Sequence, residues 1–245
     1  MNKRIVIFKW GLVGVVLMSL VIFLAMESKV VSNPISFEDD TSNEIMHLKA
    51  YCPPGFKLNQ SNQCMAQNLY MQYDSPNNKG LGGLQTGLPE IRDGFTPQQI
   101  DLGRYLFFDP ALSGNGTMSC ATCHVPSKGF SDGQTTSTGN GNLKLKRAAP
   151  SLWNVGFLKK LFWDGRAASL EEQMKGPLFS EEEMNNTPEN LIETLNGLEE
   201  YTKLFLEAFP SKRESESIEL LEIYKSITAF QSSLVSLNSK YDKYA

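Results

Sequence analysis

The sequence contains no run of basic residues after its first nine positions, and its formal net charge is -4. A nucleic-acid-binding protein needs a basic stripe to neutralise phosphates, so the acidic balance argues against that class of partner. The sequence also lacks internal repeats and the alternation of apolar and polar residues that is typical of half-buried strands. We therefore expect an all-α fold that binds no nucleic acid.

Histidine and cysteine are scarce as well. His47 and His124 are the only histidines, and the four cysteines fall into two pairs by their spacing. Cys52 and Cys64 bracket a turn-rich loop, which predicts a disulfide of the kind that exported proteins carry. Free or metal-binding thiols are the alternative for this pair.

The N-terminus differs from the rest of the chain. Residues 1–26 place Lys3, Arg4 and Lys9 at the start of an apolar run. A positive start and an apolar centre are typical of an export signal, but the sequence near residue 26 is a poor cleavage site. The apolar run is roughly as long as a bilayer is thick, so a cleaved signal peptide and a membrane-anchoring helix remain alternatives.

The remaining chain divides into two regions by composition. Residues 27–95 are polar and rich in turn formers, which predicts a linker that contains the disulfide loop. Residues 96–245 hold the segments with apolar residues at helical spacing. These segments run from Thr96 to Asp109, from Thr187 to about Ala208 and from about Glu214 to Leu237.

The motif Cys120-Ala-Thr-Cys123-His124 has the spacing of a c-type haem attachment site. Two cysteines on one short turn can form thioether bonds to the haem, and the next residue can then place its imidazole on the iron. A thioredoxin-like redox pair would need a surrounding βαβ pattern, and half a zinc site would need a second pair of ligands. The motif therefore predicts one covalent haem c with His124 as the axial iron ligand.

Further motifs follow one another along residues 96–245. They are Leu102–Pro110, Ser113–Met118, Ser119–His124, Phe130–Asp132, Ala149–Leu152, Phe162–Arg166, Ser169–Gln173, Gly176–Leu178 and Glu183–Met184. Together they resemble the N-terminal domain of bacterial dihaem cytochrome c peroxidases, a domain that methylamine-utilisation dihaem enzymes share. The resemblance implies a cytochrome c-like helical domain with long loops around its haem. The pattern of residues 1–26 predicts that this domain is exported to the periplasm, either free or anchored at the inner membrane.

In that family the N-terminal haem reacts with peroxide. The resemblance implies that Glu183 is the catalytic acid/base group, Gln173 its neighbour in the distal pocket and Trp163 the residue that relays electrons between two haems. Without the resemblance, the two polar residues would be read as exposed and the tryptophan as core. Arg147 and Arg166 could pair with haem propionates, and surface salt bridges are the alternative for both.

Two positions depart from the family. Asn140 stands sixteen positions after His124, where many members have a displaceable distal histidine. Asparagine is a poor iron ligand, so the iron would be five-coordinate or water-ligated, or would take Met184 or His47 as its sixth ligand. Ala148 stands where the family has an asparagine at its calcium site, which argues against calcium.

The resemblance predicts reduction of hydrogen peroxide to water, with electrons from a small cytochrome or a cupredoxin. The family continues into a second haem domain beyond the part that this sequence resembles. We therefore expect a separate haem subunit, a truncated reading frame or a different role for a single domain. The competing functions are a monohaem electron-transfer cytochrome and an inactive fragment of a dihaem enzyme.

Overall fold

A computed structural model describes residues 46–67, 90–213 and 215–236 of the chain. These residues belong to one compact unit that spans Ile45–Ala245. The export signal expected at residues 1–26 lies outside the described residues. Within the described stretches, no helix is both long enough and apolar enough to cross a membrane.

The unit consists of a two-stranded hairpin followed by α-helices and long loops. The strands are β1 (Phe56–Leu58) and β2 (Cys64–Ala66), and the helices are α1 (Pro97–Phe108), α2 (Cys120–Cys123), α3 (Leu170–Phe179), α4 (Pro188–Asn196), α5 (Glu199–Ala208) and α6 (Leu220–Ser232). Short 3-10 turns at Pro110–Leu112, Pro126–Lys128, Asn140–Asn142 and Val155–Phe157 shape the loops. The predicted predominance of helices is confirmed.

The pair α1 and α6 forms the centre of the unit. Helix α1 begins at a capping box in which Thr96 and Gln99 satisfy each other's backbone N–H groups, and Pro97 occupies its first turn. The helices approach so closely at Gly103 that a Cβ atom there would lie 1.8 Å from the carbonyl oxygen of Ser226. Only glycine fits this crossing.

Two apolar clusters lie against this helix pair. The first joins α1 to α3, α4, α5 and α6 through fully buried side chains, among them Leu102, Leu106, Leu178, Leu191, Leu195, Phe205 and Ile223. The second joins the pair to the loops, and it contains Phe107, Phe130, Leu152, Leu161 and Phe230. Cys120 packs against both clusters, so the cysteine motif lies where the two cores meet.

The expectation of an all-α fold is wrong for the hairpin. Strands β1 and β2 pair antiparallel, and a disulfide joins Cys52 to Cys64. Phe56 and Cys64 pack against Ile100 of α1 and Ala229 of α6. Three-residue strands are too short for an alternating pattern to stand out in the sequence. The described hairpin therefore belongs to the same compact unit as the helices.

The helix bounds follow the predictions in part. Helix α1 begins after Thr96 and ends before Asp109, as predicted. The segment predicted as one helix from Thr187 is two helices, because Leu198 adopts an extended conformation between them, with φ -103° and ψ 108°. The Asn196 amide donates to the carbonyl of Ile192 and accepts a hydrogen bond from the Ile218 backbone. Helix α6 begins at Leu220 rather than near residue 214, and α3 has no predicted counterpart.

The helix crossing gives a test of stability. Gly103→Ala should lower the free energy of unfolding by about 3 kcal/mol, because the added methyl group collides with rigid backbone. Gly197→Ala is the matched control, since a Cβ there would make only ordinary contacts at 3.4 and 3.5 Å. Urea denaturation followed by circular dichroism measures both variants, and equal stability of the two would contradict the described crossing.

Candidate functional site

The cysteine motif folds as a single short turn. Helix α2 spans Cys120–Cys123, and the backbone N–H of His124 donates to the carbonyl of Cys120 at 3.0 Å. Ser119 and Thr122 close the start of the turn, because the Ser119 N–H donates to the Thr122 hydroxyl at 3.0 Å. Two thiols and one imidazole therefore project from five consecutive residues, as the sequence predicted.

The ring of His124 is oriented by the backbone. Its Nδ1 donates a hydrogen bond to the carbonyl oxygen of Phe130 at 2.9 Å, which leaves Nε2 available as a metal ligand. Burial lowers the pKa of His124, and hydrogen bonds to the carbonyls of Phe130 and Pro150 oppose that shift. A neutral imidazole held through Nδ1 is the form that binds haem iron.

The two thiols are not those of a reactive redox pair. Burial raises the pKa of Cys120 to about 12. Burial also raises the pKa of Cys123, and the negative charges of Asp132 and Glu183 add to the effect. A thioredoxin-like pair depends on a thiolate with a lowered pKa, so the redox alternative is disfavoured.

A cavity of about 790 Å³ opens beside Cys123. Met118, Val125 and Thr138 are part of its wall, and Asp132 adds a negative charge to it. Cofactor sites fall roughly between 300 and 1,000 Å³, so the cavity has the size for a haem. The cysteine pair, the oriented imidazole and the adjoining space together fit a covalently attached haem c.

Glu183 lies in a turn that is hydrogen-bonded to the loop that lines the cavity. The Asn140 N–H donates to the carbonyl of Glu182 at 3.0 Å, and a Cβ atom at Gly139 would lie 1.9 Å from that oxygen. The turn therefore fixes the half-buried Glu183 beside the loop that lines the cavity. Burial raises the pKa of Glu183, the neighbouring Glu182 raises it further, and Arg166 opposes the shift.

Helix α3 carries Gln173, which is partly buried. One turn later, a Cβ atom at Gly176 would lie 3.0 Å from the ring of Phe162, so the Phe162 ring packs against this helix. The Arg166 guanidinium lies 3.5 Å from the centroid of the same ring. Phe162 thus joins Arg166 to α3, the helix that carries Gln173, and Arg166 is close enough to Glu183 to act on its pKa.

Trp163 lies at the tip of the loop that holds Phe162. Backbone hydrogen bonds in both directions between Leu161 and Ala167 close this loop. The indole of Trp163 is 91% exposed, whereas the sequence without the family resemblance favoured a core position. The Arg166 side chain also binds both carboxylate oxygens of Asp164, at 2.9 and 3.0 Å. Arg147 is exposed on the neighbouring loop.

The candidate sixth ligands are engaged elsewhere. Met184 is only 6% exposed and belongs to the first apolar cluster, a placement that favours packing over iron binding. His47 is solvent-exposed, and its Nδ1 lies 3.8 Å from a carboxylate oxygen of Glu207. Asn140 accepts a hydrogen bond from the Asn115 amide at 2.9 Å.

Three residues of the site had no role in the sequence-based predictions. Asn115 orients Asn140, Phe130 orients His124, and Phe162 covers Gly176. Phe130 and Phe162 adopt positive φ angles of 56° and 64°, a conformation that is costly for residues other than glycine. Both lie inside motifs that the sequence displayed, but no pattern in the sequence reveals a positive φ at phenylalanine.

The turn, the neutral imidazole and the cavity define a c-type haem protein. Residues 97–245 match the family of di-haem cytochrome c peroxidases, and the chain belongs to that family of oxidoreductases. It is 41% identical over 150 residues to the methylamine utilization protein MauG of Methylorubrum extorquens, covering 61% of this chain and 42% of that protein. It is 40% identical over 147 residues to cytochrome c551 peroxidase of Pseudomonas aeruginosa, covering 60% and 42% respectively.

A solved structure shows the same relationship. A MauG-like protein associated with microbial copper homeostasis is 35% identical, with a TM-score of 0.60 over 66% of this chain and 49% of that one. The chain thus spans less than half the length of the curated relatives named above. The shared part is a helical domain with a c-type haem site.

Substitution of Asn140 tests the sixth position of the iron. Asn140→His should add a strong-field imidazole where the family has its distal histidine, converting the ferric spectrum to low spin and weakening azide binding. Asn140→Ala is the control, because it removes the bond to Asn115 without adding a ligand. Optical and EPR spectra of the haem-loaded protein measure both, and a low-spin wild type would contradict an open sixth position.

Proposed function

We propose that this domain reduces hydrogen peroxide to water at a single covalently bound haem c, with Glu183 as the acid/base group. The observation that carries the proposal is the placement of Glu183. Glu183 is half buried in a turn that is hydrogen-bonded to the cavity-lining loop through Asn140 N–H and the Glu182 carbonyl, and burial raises the pKa of Glu183. Membership of the di-haem cytochrome c peroxidase family supports the same chemistry.

The haem, when bound through Cys120, Cys123 and His124, supplies the iron that binds peroxide and exchanges electrons with it. Glu183 takes a proton from the peroxide oxygen nearer the iron and returns it to the farther oxygen, which leaves as water. Two electrons and two further protons complete the conversion of one peroxide to two waters. Gln173 hydrogen-bonds the peroxide and keeps it oriented towards Glu183.

In this proposal the three candidate side chains would not compete with peroxide for a bound haem iron. Asn140 is held by Asn115, Met184 is packed in the apolar core, and His47 lies beside Glu207. A haem without an internal sixth ligand needs no prior reduction to release one. We therefore expect the ferric resting form of the protein to react with peroxide directly.

In this proposal a separate redox centre supplies the electrons for peroxide reduction. The name of the Pseudomonas relative, cytochrome c551 peroxidase, supports a small cytochrome as donor, and a cupredoxin would serve the same purpose. The exposed indole of Trp163 is suited to relaying electrons from a second haem, on this chain or on a separate subunit. We place the domain in the periplasm, a location supported by the Cys52–Cys64 disulfide and by the export-signal pattern of residues 1–26.

Glu183→Gln tests the acid/base role. The amide cannot accept and return a proton, so peroxide turnover should fall by a factor on the order of 10² to 10⁴ while the haem spectrum stays unchanged. Glu181→Gln is the matched control, because this carboxylate lies in the same turn and is exposed. Stopped-flow mixing with peroxide measures the rate, and an unchanged rate in Glu183→Gln would refute the assignment.

The proposed role of the Glu183 carboxyl group also predicts how the reaction rate depends on pH. Glu183 must be ionised to accept the peroxide proton, so the reaction should slow as the pH falls through its folded-state pKa. Because burial raises that pKa, the decline should begin at a higher pH than for an ordinary glutamate. The measurement is the rate of the peroxide reaction from pH 4 to pH 8. The decline at low pH should be absent in Glu183→Gln.

A further inference from the structure

Trp153 is an exposed aromatic residue that the proposed peroxide chemistry does not use. Its side chain is 43% exposed, and its ring meets the ring of Phe130 edge to face, with the centroids 5.5 Å apart. The Trp153 backbone N–H donates to the Ser151 hydroxyl, and that hydroxyl in turn donates to the carbonyl of Gly129. The backbone of Trp153 is therefore tied to the loop that carries Phe130, and its indole packs on the Phe130 ring.

Phe130 connects this indole to the iron ligand. Its ring packs against Trp153, and its carbonyl oxygen accepts the hydrogen bond from His124 Nδ1 at 2.9 Å. The connection from the surface to the proximal imidazole thus consists of one aromatic contact, one phenylalanine and one hydrogen bond. The carbonyl of Pro150, three residues before Trp153, also acts on His124. Trp153 therefore lies at the surface end of the proximal side of the haem site.

The segment around Trp153 is basic, although the chain as a whole is acidic. Residues 143–160 contain five basic side chains and no acidic one, whereas the formal net charge of the chain is -4. The five are Lys144, Lys146, Arg147, Lys159 and Lys160, and all of them are exposed. Lys159 is paired with Glu90 at 3.1 Å, and the other four have no carboxylate partner among the described residues. Leu143 and Leu158, at 47% and 59% exposure, add apolar surface to the same segment.

We propose that this segment, centred on Trp153, is the docking surface through which an acidic one-electron redox protein delivers electrons towards His124. The inference rests on the proposed function, which requires an external source of electrons. Each donor molecule gives up one electron and its metal centre is oxidised, so two donor molecules supply one peroxide reduction. The donor loses no atom and gains none.

The charge of the surface selects the donor. Complementary charge raises the rate of encounter and orients the partners, and the exposed aromatic and leucine side chains supply the small apolar contact that transient redox complexes use. A basic donor would be repelled by the four positive side chains that have no carboxylate partner among the described residues. This surface differs from the Trp163 loop, where Arg166 is paired with Asp164.

The first experiment measures binding without turnover. The haem-loaded full chain is titrated by calorimetry with oxidised plastocyanin, an acidic cupredoxin, at low and high ionic strength. Lys144→Glu combined with Lys146→Glu should raise the dissociation constant about tenfold at low salt, and added salt should erase the difference. Lys57→Glu combined with Lys225→Glu is the matched control, because both lysines are exposed on other parts of the unit.

The second experiment measures electron delivery. After the addition of peroxide, Trp153→Ala should slow oxidation of reduced plastocyanin about tenfold, and Trp153→Phe should restore much of the rate because it keeps an aromatic ring next to Phe130. Tyr51→Ala, which removes an exposed aromatic ring from the hairpin side, should leave the rate unchanged.

The two proposals fail in different ways. Hydroquinone is a small uncharged reductant that needs no docking surface, so loss of its peroxide-dependent oxidation in the wild type would refute the proposed function. If hydroquinone supports turnover but the variants at Trp153 and at Lys144 with Lys146 behave like their controls, the docking surface is refuted. Equal binding of the basic mitochondrial cytochrome c, or self-association of the chain through this surface, would refute the choice of an acidic donor.

Discussion

The close crossing of α1 and α6 is the constraint on which the haem site depends. Glycine at position 103 lets the two backbones meet, and this contact brings Phe107 of α1 within 5.1 Å of Phe230 of α6, measured between ring centroids. Phe130 packs on both rings, and its carbonyl holds the imidazole of His124. The contact between α1 and α6 contains no iron ligand, but through Phe130 it fixes the orientation of the His124 imidazole.

The loops around the site are long, but they are held by hydrogen bonds at their ends. The turn of Glu183 is tied to the loop of Asn140 through the Glu182 carbonyl, and Asn115 is tied to Asn140 through a side-chain amide. The same loops accept the cost of positive φ angles at Phe130 and Phe162. Because packing offsets this strain, Glu183 and His124 can occupy loops and still have defined positions.

The two exposed tryptophans give the domain two distinct surfaces for electron exchange in our proposals. Trp163 lies on a loop whose neighbouring charges are paired within the loop, which suits a permanent partner such as a second haem domain. Trp153 lies in a segment with an excess of positive charge, which suits a partner that binds and leaves. The net charge of the whole chain is negative, so net charge alone does not reveal this local basic segment.

The sequence by itself determined the haem attachment, because Cys120, Cys123 and His124 are adjacent and their chemistry depends only on local spacing. It also determined helix α1, whose cap and first-turn proline are local signals. Only the tertiary structure decided that Cys52–Cys64 belongs to a hairpin packed on α1 and α6, and that Met184 lies in the core. It alone showed that Trp153 touches Phe130 and that Asn140 is held by Asn115. These contacts join residues more than twenty positions apart, and such pairings follow from how the helices pack rather than from any pattern along the chain.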